Sequence, residues 1–359
     1  MRLGYFTFPV HPKNKGFKNS LNEDSEAIIL ADKFGFDEAF VGEHITDEYE
    51  RITSSLLFIS TLIHQTKKIK LGTGTLNLPN CHPLQIASSV SMIDHIANGR
   101  FIMGIGPGSL VSDMEAFETL DKNRNEMFLE SINHILAIWK KKSPYNIKGK
   151  YWNISTKKTF DQKISIGKFP KNFQKPHPEI VCTSLSRNIK SIQGLTSRGW
   201  NLISSNFLQN ESLKYHNEGI NLGLERKNVK NKNWRVARKI FINENKKIVE
   251  DYVFSNKNPY YLTLIQIIKK LEKYKKLDIL KKNPENKHEK INPKKLLEDL
   301  VIYGDVNTVA EKILKLREDV GKFDTITYVG IDWKNPILAK KSLKLMGQKV
   351  MDKINKNIR

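Results

Sequence analysis

The sequence predicts an α/β fold, a (β/α)8 barrel interrupted by two insertions. Three observations point there. Eight short β-rich runs recur along the 359 residues. Amphipathic stretches lie between most of them. Polar residues also gather where the apolar runs stop, as in FVGEHIT at 40–46. Strand alternating with helix is the pattern of a parallel sheet covered by helices. Eight such units close into a barrel. A doubly wound open sheet is the rival arrangement of the same elements.

The strand candidates, in order, are RLGYFTF (2–8), FDEAFVGE (36–43), IKLGTGTLNL (69–78), RFIMGIG (100–106), EIVCTS (179–184), NLISSN (201–206), RVARKIFI (235–242) and TITYVGI (325–331). A helix is predicted over 20–34, where Ser20 and Glu23 have capping-box spacing. Ala27, Ile28, Ala31 and Phe34 then share one face. Pro83 marks the first turn of a helix running PLQIASSVSMIDHIA. Residues 123–139 and 305–320 also read as helices. The chain is expected to form a single barrel domain over 1–359, with insertions at about 141–178 and 254–299. The second insertion holds KKLEKYKKLDILKKNPENKHEKINPKK, a charge run expected to be a solvated face or a disordered loop. A mobile cover over a site is the sharper reading.

Composition narrows the function classes. With 39% hydrophobic residues the chain can bury a full core. It has no run of about 18 apolar residues, so no membrane span is expected. The apolar part of MRLGYFTFPVHP is too short for a signal peptide. Cys81 and Cys182 make neither a disulfide framework nor a metal site, and a reducing cytoplasm is the expected location. The net charge is +22, but the lysines are spread along the chain among Asn and Ile. No zinc finger, recognition helix or RNA-binding sheet accompanies them, so no nucleic-acid partner is expected.

In a barrel the site is built from the C-terminal strand ends. Glu43 and His44 end the second candidate strand, Asn77 the third, Gly106 to Ser109 the fourth and Ser184 to Ser186 the fifth. A histidine there can exchange protons near neutral pH, or simply cap a strand. Glu43 reads as a structural carboxylate, and His82 as a local loop bond. GIGPGSL (104–110) lacks the Lys-Ser/Thr of a P-loop, though its small residues admit a flat ring or a close backbone. The glycines of LGTGTLNLP (71–79) mark a kink or a close ligand.

The blocks FGFDEAFVGEHIT, LGTGTLNLPNCHPLQIASSVSMIDHIANGRFIMGIGPGS, SRGWNLISSNFL and WRVARKIFI resemble the bacterial luciferase-like flavin-dependent monooxygenases, in particular the limonene and alkanal monooxygenase branch. VIYGDVNTVAEKILKLREDVGKFDTITYVG (301–330) resembles that family's closing βα unit. The resemblance implies a luciferase-like TIM barrel that takes reduced FMN and O2. Its C4a-peroxyflavin would oxidise a small organic substrate. It also implies a separate flavin reductase and a homodimer. His44 matches the active-site histidine, Gly74–Thr75 a non-prolyl cis peptide against the flavin, and Asn77 a polar position near the ring. Gly106 is expected beside the ring, and Ser184 and Ser186 match the phosphate loop. Luciferase has a phosphate-binding arginine where this chain has Pro107, so the charge has to come from elsewhere; Arg187, at a predicted helix N-terminus, either supplies it or is a surface helix residue. Tyr5, Phe6, Phe8, Phe40 and Trp200 or its neighbours are expected around the substrate, with ordinary core packing as the other reading of each. A deazaflavin-dependent hydride-transfer enzyme and a non-catalytic flavin-binding protein are the alternatives on the same barrel.

Overall fold

The structure, a computed structural model, describes residues 1–227, 233–286 and 288–358. Residue 287, within the second insertion, lies outside the described residues. Twelve strands run in chain order: β1 (Arg2–Thr7), β2 (Glu38–Val41), β3 (Lys70–Thr73), β4 (Leu76–Asn77), β5 (Phe101–Gly106), β6 (Asn146–Ile147), β7 (Ile154–Ser155), β8 (Glu179–Ser184), β9 (Asn201–Ser204), β10 (Trp234–Ile242), β11 (Val301–Gly304) and β12 (Thr325–Val329).

Eight of them close a parallel barrel in the order β1-β2-β3-β5-β8-β9-β10-β12, with β12 returning to β1. This is the expected (β/α)8 barrel, and all eight strand candidates belong to it. Closure rather than an open sheet follows from the pairing of β9 with β10, where Trp234 stands opposite Leu202. The short β4 continues β3 after a break and pairs with β5. β6 and β7 form a separate antiparallel hairpin inside the first insertion.

Side chains fill the barrel in layers. At the amino ends Arg235, wholly buried, donates two hydrogen bonds to Glu38 at 2.6 and 2.7 Å and one to Glu179 at 2.9 Å. Above this ion cluster lie Phe6, Phe40, Ile102, Val181, Ile203, Ala237 and Val329. A larger apolar layer joins the outer strand faces to the helices and holds Tyr5, Ile28, Phe36, Val90, Ile132 and Trp200.

The structure differs from the sequence-based expectation in three places. The first helix spans Phe17–Lys33 and starts after Gly16, so Ser20 and Glu23 form no capping box. Glu23 instead accepts hydrogen bonds from Lys15 Nζ and the Trp333 N–H. The second insertion is a folded unit, not a disordered loop. Helix Pro259–Lys273 buries Tyr260, Thr263, Leu264 and Ile267 along one stripe. Tyr260 and Leu264 from this stripe join Leu280, Leu296, Leu297 and Leu300 in a second core, which packs against Phe241 of β10. That insertion leads into β11, a strand absent from the eight candidates, which pairs with the far end of β10. The Pro83–Ile96 helix does begin on Pro83, with His82 Nδ1 accepting the Leu84 N–H at 3.2 Å.

Candidate active site

The carboxyl ends of the barrel strands surround a cavity of about 590 Å³. His44, Gly74, Thr75, Asn77, Gly106, Ser184 and Ser186 all line it. Parallel strands explain the meeting. His44 follows β2, Asn77 ends β4, Gly106 ends β5 and Ser184 ends β8, so all emerge on one face. Most of the remaining wall is apolar, with Phe6, Phe8, Leu110, Phe207 and Leu271 prominent.

The Gly74–Thr75 peptide is cis, as the resemblance implied. Bare backbone is required around it. A Cβ on Gly74 would lie 2.9 Å from the Phe6 ring, and one on Gly106 would lie 2.7 Å from Thr75 Oγ1. Gly108 has φ +78°, where side chains are rarely tolerated, and Arg124 packs against it while donating to the Pro107 carbonyl.

His44 stands between two carboxylates. Its Nδ1 is 3.2 Å from Asp113 Oδ2, and its Nε2 is 3.8 Å from Glu50 Oε2. Burial works against a charged imidazole, but the Glu50 charge and the Asp113 bond outweigh it and raise its pKa. Burial also opposes the Asp113 charge. Bonds from His44 and from the Thr46 hydroxyl and N–H nevertheless hold that carboxyl down to about 2. An ionised Asp113 fixes the Nδ1–H tautomer and leaves Nε2 on the Glu50 side. Lys270, from helix Pro259–Lys273, donates to Glu50 Oε1 at 2.8 Å and to Asp47. Glu43 has the orienting part expected of it, accepting the Ser55 N–H at 2.9 Å and the Ser55 hydroxyl at 2.6 Å.

Two groups of expected residues stand elsewhere. Arg187 is not among the lining residues. Its guanidinium donates to the carbonyls of Lys281 and Lys282 and clips the second insertion to the β8 loop. Tyr5 and Trp200 pack outside the barrel wall and Phe40 lies below the cavity, leaving Phe6 and Phe8 from that group in its lining. The strands explain this, since alternate residues face opposite sides and Tyr5 points away where Phe6 points in.

Sequence reasoning missed Asp113, Glu50, Asp47 and Lys270. Their only signal was a pair of acid-rich segments, TDEYE at 46–50 and SDMEAFE at 112–118, following two strand ends. It also missed His216. This buried imidazole bonds Ser204 Oγ through Nδ1 and the Ser186 carbonyl through Nε2, both at 2.7 Å, and so fixes the β8 loop. Burial pushes its pKa down to about 4, which keeps it neutral.

A barrel with an apolar cavity and an acid-flanked histidine at its carboxyl mouth belongs to the class of small-molecule-binding α/β barrels. Within that class, the chain belongs to the luciferase-like monooxygenase family, whose model matches residues 1–322. It is 42% identical to 4-hydroxyprotoasukamycin monooxygenase of Streptomyces nodosus subsp. asukaensis over 112 residues, which is 31% of this chain and 30% of that protein. The chain thus matches about a third of that relative. It is 24% identical to 3,6-diketocamphane 1,6-monooxygenase of Pseudomonas putida across 99% of this chain and 98% of that one. A solved structure of the oxygenating constituent of 3,6-diketocamphane monooxygenase from P. putida, in complex with FMN, matches with TM-score 0.84 and 24% identity, over 99% of both chains. That likeness shows the fold. Among the described residues, no helix is long and apolar enough to cross a membrane.

Proposed function

We propose that this protein is the oxygenase component of a two-component flavin-dependent monooxygenase, using reduced FMN and O2 to oxidise a small organic molecule. One observation carries the reading. The residues that the family resemblance assigns to the flavin converge, Arg187 excepted, on one large apolar cavity beside His44.

The residues present fit FMN. The side-chain-free surface at Gly74 and Gly106, where a Cβ would collide, suits a flat ring. Thr75 and Asn77 would bond its polar edge. Ser184 and Ser186, held by His216, would receive the phosphate. Lys276, which lines the cavity, replaces Arg187 as the candidate counter-charge. Bound reduced FMN would supply oxygen activation at its C4a position. The chain's own part is to exclude water with Phe8, Leu110, Phe207 and Leu271 and to move a proton at His44 Nε2. Helix Pro259–Lys273, seated by Lys270, would close the mouth. The solved relative is an oxygenating constituent, which supports a separate reductase. Exposed Leu57, Met92 and Ile96, on the helices after the second and third barrel strands, suit a homodimer face.

The deciding experiment is anaerobic titration with reduced FMN and, separately, reduced deazaflavin, followed by air. The reading expects preference for FMN and a long-lived absorbance transient that needs oxygen. Preference for deazaflavin with no oxygen-dependent transient would move the protein to hydride transfer.

A further inference from the structure

Ten buried side-chain polar atoms have no hydrogen-bond partner among the described residues. Three of them, Thr7 Oγ1, Glu50 Oε2 and Arg51 Nε, belong to residues lining one small void behind His44. His44, Glu43 and Asp24 line the same void. Its volume of about 10 Å³ is about what one water needs, and a buried water needs two to four polar partners. Thr7, Glu50, Arg51 and Asp24 offer that number. Orphaned buried polar groups are costly, so three of them on residues around one void call for an occupant.

The void separates two acid–base clusters. On one side are His44 and Glu50, with Lys270 and Asp47 bonded beyond. On the other, Asp24 bonds His11 Nε2 at 3.2 Å, and His11 Nδ1 bonds Asp332 at 2.7 Å. Lys15 Nζ bonds Asp332 at 2.6 Å and Glu23 at 2.5 Å. Asp24 and His11 are buried, while the Lys15 side chain is 19% exposed, so this second cluster reaches the surface.

We propose that the void holds one water molecule, which joins these clusters into a proton relay from solvent at Lys15 to His44. The inference rests on the reading above, in which His44 gives up protons inside a closed cavity and needs a supply that does not cross the apolar wall. Each transfer moves one proton and no electrons. Asp24 takes the Nε2–H of the His11 imidazolium and hands it to the water, the water gives one of its own protons to the ionised Glu50 Oε2, and Glu50 passes it to His44 Nε2. The His11 ring then turns, and its bared nitrogen takes a proton that Lys15 passes from solvent through the Asp332 carboxylate. Each carboxylate is ionised before and after the transfer. Asp24 and His11 touch neither the cavity nor its contents, so they are positioning and relay residues, not catalytic ones.

Three measurements test it. A high-resolution crystal structure of the flavin-free protein should show a water bonded to Thr7 Oγ1 and Glu50 Oε2. Thr7→Val should lower Tm by a few degrees, because it strips a partner from that water. In a dry void the same change would relieve an orphaned hydroxyl and raise Tm. In single turnovers with reduced FMN and O2, Asp24→Asn should slow the proton-dependent decay about tenfold or more at pH 8, with FMN affinity unchanged, and added formate should restore it. An empty void with a raised Thr7→Val Tm overturns the relay. So does Asp24→Asn decaying at the wild-type rate while His44→Ala is slowed, and this leaves the functional reading standing. A His44→Ala protein at the wild-type rate removes that reading and the relay with it. If Asp24→Asn does not fold, Asp332→Asn, also outside the cavity, takes its place with the same outcomes.

Discussion

Two buried histidines far from each other in sequence contribute opposite pH dependences to the stability of this protein. His216 is held neutral by burial, its pKa pushed down to about 4 from the ordinary 6.5. The unfolded chain therefore binds more protons than the folded one between those values, and stability falls as pH drops from 6.5 towards 4. The effect is about 3 kcal/mol at most. His11 has the opposite sign. Burial opposes its charge, but Asp24 and Asp332 raise it to about 9. Its contribution is complete below 6.5 and lost as pH rises through 9. Denaturant unfolding across pH should thus show a maximum near 6.5 from these two groups, and His216→Gln should flatten the acid limb only. An acid limb of equal slope in that variant would refute the assignment. Neither histidine could be singled out from the sequence, because each is defined by partners far away in the chain: His11 by Asp332, and His216 by the Ser186 carbonyl. His44 was legible, because it directly follows a run of apolar strand residues.

Among the elements, the second insertion shows how sequence and structure part company. Its lysine content reads as solvated chain, yet Tyr260, Leu264 and Ile267 at helical spacing build a buried stripe. Charge count outweighed periodicity in the sequence-based reading, and the structure reverses that weighting. Strand β11 was equally hidden. Four residues, VIYG, carry no mark of a partner, and the partner is the overhanging end of the nine-residue β10. Two changes separate the insertion's anchors. Arg187→Ala removes hydrogen bonds to the Lys281 and Lys282 carbonyls. It should leave FMN affinity unchanged while raising proteolysis near 281–286; lost affinity with unchanged proteolysis would return Arg187 to the phosphate. Lys270→Met leaves Asp47 and Glu50 without their ammonium. Faster amide exchange across 259–273 is expected, with Lys270→Arg restoring protection, and unchanged exchange would mean that apolar contacts alone hold the helix.

At the scale of the whole molecule, the barrel's two ends have different chemistry. Its strand order was legible because eight apolar runs with polar ends repeat along the chain. The ion cluster at the opposite end was not, since Glu38, Glu179 and Arg235 lie at three separate strand starts. Arg235→Met should destabilise the protein by about 3–5 kcal/mol, because the buried Glu38 carboxylate, and with it the partly exposed Glu179, loses its counter-charge. A loss below 1 kcal/mol in denaturant titration would show that water reaches them. The net charge of +22 predicts only generic attraction to nucleic acid, which modest salt should abolish. With Arg235, Glu38 and the Phe40 layer stopping up the lower end, the described residues leave the barrel's carboxyl mouth as its doorway. Everything that enters must queue there. A large guest seated deepest has to arrive first and leave last, so binding is predicted to be compulsory in order, and a small late-comer should trap whatever went in before it.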